Sequence, residues 1–280
     1  MKLTAVEGNS QSLDGGASFG NAPKAVWSKW YVPDNHNRVQ LATRTLLVEF
    51  DDGLKVLFET GVGAFLEPSL RVRYGIEEAG HQLLDNLAKY QIQHQDIDVV
   101  VLSHLHFDHA GGLLSAWEES KKPELLFPNA RYYVSEKHWQ RALQPHPRDR
   151  ASFIAELPQL LLDSGRLELI NAQQNLILDG KVKVRFSDGH TPGLMLSEIT
   201  SPNGPLVYSS DLVAGAPWVH IPITMGYDRF PEQVINEKAE LFADLYQRDG
   251  RLFFCHDPNI VCGKLLRDER GRYSVCADPL

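Results

Sequence analysis

Residues 99–109 constrain this chain more than any other stretch. Val99-Val100-Val101-Leu102 is a continuous apolar run of the length of one strand covered on both faces, and it passes without a break into Ser103-His104-Leu105-His106-Phe107-Asp108-His109. Side chains with ligating nitrogen or oxygen therefore crowd the end of a buried strand. In extended backbone, residues i and i+2 share a side, so His104 and His106 can address one cation. Asp108 and His109 stand where the chain must turn and can address a second. Imidazole with carboxylate is the donor mix of zinc, or of iron or manganese at a similar site. A lone histidine is ordinarily a hydrogen-bonded or solvated side chain; the weight here comes from three further residues that end apolar strands in the same manner. These are His190 in Asp188-Gly189-His190-Thr191-Pro192-Gly193, Asp211 in Ser209-Ser210-Asp211, and His256 in Phe253-Phe254-Cys255-His256-Asp257-Pro258. Junctions of this kind, at one edge of a sheet, are where open α/β architectures build their sites.

The remaining pattern reads as α/β. Residues 41–50 and 54–58 are β-rich on either side of Asp51-Asp52-Gly53, which predicts a hairpin. A helix is expected over 77–90, where Leu83, Leu84 and Leu87 share a face. Ser135 is placed to cap a helix running through Trp139, and another helix is expected between 151 and 162. Strands follow at 167–170, 182–186, 194–199 and 205–208, then a long helix over 232–247 and a final strand at 252–255. No linker or repeat interrupts the chain, so the expectation is one α/β domain over 1–280. Residues 15–40 combine Gly, Asn and Pro with bulky aromatics and are expected as an ordered loop overhanging the site. Trp27, Trp30, Tyr31, Phe65 and Trp218 either wall an apolar pocket, staple the N-terminal segment to the core, or form a dimer contact. Gly111 and Gly112 are expected to let a helix start close behind the cations, and Cys255 reads as a small core residue.

Composition removes whole classes of function. With 28 Lys and Arg against 36 Asp and Glu the net charge is −8, which repels a phosphate backbone. No apolar run approaches the roughly 20 residues that cross a bilayer. Three cysteines at no CxxC spacing support neither a disulfide framework nor a zinc ribbon. The expectation is a cytoplasmic protein with a small-molecule substrate, no nucleic-acid or membrane partner, and a homodimer as its one candidate assembly.

The motifs SHLHFDHAGG, DGHTPG and the HDP ending together resemble the metallo-β-lactamase superfamily of binuclear metallohydrolases. The likeness spans nearly the whole chain and is strongest to the branch of N-acyl homoserine lactonases and methyl-parathion-type hydrolases. It implies an αββα four-layer sandwich with two divalent ions at one edge, zinc first and iron or manganese next. By matching motif, His104, His106 and His190 would hold the first ion, Asp108, His109 and His256 the second, and Asp211 both. The implied reaction is attack on an ester, lactone or thioester carbonyl by a hydroxide shared between the ions, the pKa of bound water falling from near 15.7 toward about 7. Asp108, Tyr227 and His220 are the candidate groups for protonating the leaving group.

Two departures accompany the resemblance. Glu59-Thr60-Gly61 stands where relatives carry Asp behind the metal loop. Ala214 stands three residues after Asp211, where quorum-quenching lactonases place a tyrosine, so that Tyr227 or His220 would have to replace it. The alternatives on this fold are an iron-dependent oxidoreductase of the sulfur-dioxygenase type, which uses fewer ligands, and a phosphoester or phosphotriester hydrolase. A nuclease would need a basic face that this chain lacks.

Overall fold

The structure, a computed structural model, describes all 280 residues. In chain order its strands and helices begin with β1 (Lys2–Glu7), β2 (Gln11–Asp14), α1 (Gly15–Phe19), α2 (Lys24–Trp27), β3 (Arg38–Leu41), β4 (Arg44–Glu49), β5 (Lys55–Phe58), α3 (Pro68–Arg73) and α4 (Gln82–Lys89). The middle of the chain forms β6 (Val99–Val101), α5 (Phe107–Ala110), β7 (Arg131–Ser135), α6 (Glu136–Leu143), α7 (Leu157–Asp163) and β8 (Leu167–Ile170). The remainder forms β9 (Leu176–Ile177), β10 (Val182–Ser187), β11 (Leu194–Ser201), β12 (Gly204–Tyr208), α8 (Pro231–Gln247), β13 (Arg251–Phe253), β14 (Cys262–Arg267) and β15 (Tyr273–Ala277). The chain divides into two compact units, residues 1–11 with 42–172 and residues 12–41 with 173–280.

The first unit is built on a six-stranded sheet in the order β1-β4-β5-β6-β7-β8. The expected hairpin is present: β4 and β5 pair antiparallel from Leu46↔Phe58 to Glu49↔Lys55, and Gly53 turns between them at φ +90°. β6 runs parallel to both β5 and β7, so its three valines are covered on both faces, as their unbroken apolarity demands. Ser135 caps α6, its hydroxyl oxygen accepting from the His138 amide at 3.2 Å, and the helix continues past Trp139 to Leu143. Two helices start later than their apolar spacing predicts. Residues 77–81 do not join α4 because Glu78 and Gly80 give their backbone carbonyls to the Asn9 side chain. α7 begins at Leu157, next to Pro158, after a separate 3₁₀ turn over Arg150–Ser152. The core of this unit gathers Leu47, Leu57, Leu83, Leu87, Val100, Leu113 and Trp139, among others.

The second unit carries a seven-stranded sheet in the order β15-β14-β13-β12-β11-β10-β9. β10 and β12 each run antiparallel to β11, and β13 runs parallel to β12. β10, β12 and β13 therefore point the same way, and the segments that follow them leave from one edge of the sheet. The expectation of a final strand at 252–255 is corrected here: β14 and β15 add an antiparallel hairpin beyond β13. Its outer strand is only partly buried at the sheet edge, and Ser274 interrupts its apolar residues, so it lacks a long continuous apolar run.

Residues 15–40 are not a bare loop but supply α1, α2 and β3. Phe19 stacks between Trp27 (5.4 Å, 10° between planes) and Trp218 (4.7 Å, 7°), with Tyr31 edge-on to Phe19 and Trp218. All four rings are buried, so for Trp27, Tyr31 and Trp218 core packing is the outcome. Such pairs add roughly 0.5–1.5 kcal/mol each beyond their buried area.

Candidate metal centre

In the first unit the backbone leaves β6 and delivers His104, His106, Asp108 and His109 within one short turn, α5 occupying Phe107–Ala110. His104 and His109 are 0% and 1% exposed, and their ring centroids lie 4.0 Å apart; His104 and His106 lie 4.4 Å apart. The hydrogen bonds at Nδ1 decide how each ring is turned. Glu59 Oε2 accepts from His109 Nδ1 at 2.7 Å, while Glu59 Oε1 accepts the Ser103 hydroxyl. With that proton committed, Ser103 Oγ accepts from His104 Nδ1 at 2.8 Å. One carboxylate thus fixes two imidazoles and turns each Nε2 lone pair the other way, the arrangement that commonly orients metal-bound histidine. Glu59, where relatives carry Asp, reaches both partners with its extra methylene, so the departure opens no gap. It does so from a left-handed backbone conformation, φ +62°.

His138 pins the same turn from another side, its Nε2 accepting the Leu105 amide at 2.8 Å between the two histidines. The role of the glycines differs from the expectation. A Cβ on Gly112 would lie 2.0 Å from the Thr60 carbonyl oxygen, and one on Gly111 would lie 2.3 Å from that of Val62. These positions admit no side chain because the backbone after β5 presses on them; Thr60 N donates to the His109 carbonyl and Gly112 N to that of Gly61, both at 2.9 Å.

In the second unit His190, Asp211 and His256 stand just beyond β10, β12 and β13, and all are buried. The Asp211 carboxylate lies between the two rings: Oδ2 is 3.2 Å from His190 Nε2 and Oδ1 is 3.1 Å from His256 Nε2. Two ligands of one tetrahedral ion at bond lengths near 2.0–2.1 Å are separated by about 3.3 Å, so either pairing suits a shared cation. His190 Nδ1 donates to Asp228 Oδ1 at 2.7 Å, and Asp228 Oδ2 is itself fixed by the Met225 amide at 2.7 Å. Cys255 is buried as expected, yet its Sγ lies 3.9 Å from Asp211 Oδ1, against the carboxylate and not merely in the core. Burial works against charge on His256, but Cys255 and Asp211 beside it hold its pKa well above the ordinary value. This corner favours positive charge, which is what a cation requires, and the donor chemistry of both units fits a divalent metal.

Tyr227 is half-buried with its ring edge-on to His190, centroids 6.1 Å apart. His220 is largely exposed and stacks on Trp30 at 5.2 Å; the partial burial of its ring, with the charge of Lys238 adding to it, holds its pKa below the ordinary value. The turn carrying His220 is clasped from α8. Lys238, 0% exposed, donates to the carbonyls of Trp218 (2.9 Å), His220 (3.1 Å) and Ile223 (2.6 Å), and burial pushes its amine down to about 7 despite the pull of Asp228. The residue before it, Glu237, accepts from the Asp188 and Gly189 amides and the Ser187 hydroxyl, holding the segment that leads to His190. Asp228, His138, Glu237 and Lys238 carry no spacing signal in the sequence, since each acts across a long separation. Ala214, at the position of the missing tyrosine, contributes its carbonyl, which accepts from the His256 amide at 3.0 Å.

A family model described as the metallo-beta-lactamase superfamily matches residues 39–256. The chain belongs to the metallo-β-lactamase superfamily. It has the fold of that superfamily, an α/β sandwich, and is an enzyme of its hydrolase class. Among solved structures it is similar to a probable metal-dependent hydrolase from Staphylococcus aureus, at 25% identity and a TM-score of 0.86, with 100% of this chain and 98% of that one covered. It is also similar to AidC, a dizinc quorum-quenching lactonase solved with the product N-hexanoyl-L-homoserine, at 21% identity and a TM-score of 0.76 over 99% and 94% of the two chains. An N-acyl homoserine lactone hydrolase with its product at the catalytic metal center is similar at 19% identity and a TM-score of 0.66, over 92% and 93%. A search of curated proteins gives no match. No helix is long and apolar enough to cross a membrane.

Proposed function

We propose that this superfamily member is a binuclear hydrolase of an ester, lactone or thioester. In this reading His104, His106 and His190 hold one divalent cation, Asp108, His109 and His256 the other, and Asp211 is shared. The observation that carries it is the Asp211 carboxylate, which offers one oxygen to the Nε2 side of His190 and the other to that of His256. A site for one ion needs only one of these faces, which is why the binuclear reading is preferred to the single-iron oxidoreductase. Imidazole and carboxylate donors suit zinc as well as iron or manganese, and the dizinc lactonase among the structural neighbours supports zinc as the first choice. Bound divalent metal supplies water acidic enough to ionise near neutral pH and an electrophilic contact for the substrate oxygen.

The side chains supply the rest. Glu59, Ser103 and Asp228 keep three imidazoles from turning, so little reorganisation is left for the reaction itself. Tyr227, beside His190, is the better placed of the two loop residues to give a proton to the departing alkoxide, while His220 is engaged with Trp30 and exposed. Asp108 serves as ligand and is also the nearest carboxylate to relay the proton. The lactone-cleaving neighbours support a carbonyl substrate of small size, and the exposed Cys276 thiol supports a reducing, cytoplasmic setting.

Metal analysis of protein purified without added metal tests the reading together with a panel of p-nitrophenyl esters, lactones and thioesters, with β-lactams and phosphotriesters as contrasts. The expected result is two zinc ions per chain and turnover of the carbonyl substrates. One iron per chain with oxygen uptake overturns it.

A further inference from the structure

The turn after β6 is also held by the start of the chain, a contact that nothing in its motif reveals. Beyond β1, residues 8–11 are stitched down in sequence. Gly8 N donates to the Thr43 carbonyl at 3.1 Å, and Thr43 Oγ1 donates to that of Asn9 at 2.5 Å. Asn9 Nδ2 donates to the Gly80 carbonyl at 2.7 Å, and Asn9 Oδ1 accepts from the Gln82 amide at 3.1 Å. Ser10 gives its amide and its hydroxyl to the Glu78 carboxylate at 2.9–3.0 Å. The strap ends at Gln11, 0% exposed, whose Nε2 donates to Asp108 Oδ2 at 2.8 Å.

We propose that Gln11 is a positioning residue for the second cation: by holding Oδ2 it fixes the Asp108 carboxylate so that Oδ1 is the oxygen presented to the metal. Oδ1 is the oxygen that faces His109 Nε2, at 3.8 Å. The choice of side chain fits the task. A lysine or arginine at this place would orient the carboxylate equally well, but its charge would repel the incoming cation and neutralise the ligand. An amide orients through a hydrogen bond and leaves the full negative charge on the carboxylate. Partners of this kind are worth roughly 10–100-fold in metal affinity. The inference rests on Asp108 being a ligand, as the proposed function has it.

Two variants of the full-length protein test it. Gln11→Met keeps the volume and removes the donor; Gln11→Asn keeps a polar amide and withdraws it by one methylene. Zinc titrations of the metal-free proteins against a chromophoric chelator, with thermal unfolding of the same samples, give the readout. The expected result is two zinc equivalents on the parent protein and, in both variants, a loss of about 10–100-fold at one site with the other unchanged. Parent-like affinity at both sites in either folded variant overturns the role of Gln11, as does an equal loss at both sites, which would mark a general structural residue. A parent protein that takes up fewer than two zinc ions removes the binuclear reading instead, so the two failures are told apart.

Discussion

The two units hold their candidate ligands by opposite strategies. In the first, four ligands occupy six consecutive positions after a single strand, and the supports come from far away: Glu59 after β5, His138 on α6, and Gln11 near the start of the chain. In the second, three ligands come from three separate strand ends, and the support of His190 comes from Asp228, just ahead of α8. A contiguous turn has short covalent connections but little rigidity of its own, so it needs many anchors. Ligands on three parallel-running strands are placed by the sheet ladder, and one carboxylate suffices for the ring that most needs it.

This contrast can be broken by experiment. The largest expected effect is on the ligands: His106→Ala and His190→Ala should each reduce kcat/KM by about 10³-fold or more, with far-UV circular dichroism unchanged. Activity retained in either variant removes that residue from the site. Next come the anchors. Glu59→Gln should weaken metal binding by about 10–100-fold and exceed Asp228→Asn in its effect, because Glu59 serves two rings and Asp228 one; equal losses in a chelator competition would end the asymmetry argued above.

Packing behind the contiguous turn gives a third comparison. Gly112→Ala sets a Cβ 2.0 Å from the Thr60 carbonyl oxygen, and overpacking of this order costs roughly 1–3 kcal/mol or more, visible as a lower Tm. Gly53→Ala, with nothing within 4 Å of its Cβ but φ at +90°, should cost less, about 1 kcal/mol, through the backbone alone.

The last comparison is one of pH and belongs to Lys238. Burial lowers its amine to about 7, against an ordinary 10.5. Between those values the unfolded chain binds a proton that the folded chain has released. The contribution of this group to stability is therefore least below pH 7 and grows as pH rises toward 10. Unfolding midpoints of the parent and Lys238→Met across this range should diverge in that sense; parallel curves would show that the amine stays charged throughout.

The same contrast explains what was legible in the sequence. A contiguous turn leaves a dense local pattern, and the apolar run of β6 announces where it begins. His190, Asp211 and His256 were legible for a related reason: each interrupts the end of an apolar strand. The supports were not, because a hydrogen bond between Gln11 and Asp108 or between His190 and Asp228 spans 97 or 38 positions and leaves no periodicity behind. β14 and β15 escaped because Gly263, Lys264 and Ser274 break up the apolar residues of these partly exposed strands, and the late start of α4 because Asn9 takes up backbone carbonyls that a helix would have used.

Glu59 has one more consequence. Because it ties a histidine on each side of the turn to the hairpin, the rings keep their headings whether or not an ion is present. Emptying the site should therefore leave a mould and not a slack loop: stripped protein ought to crystallise with its imidazoles already aimed, and reloading should need no refolding, only the exchange of water for protein donors around the incoming ion.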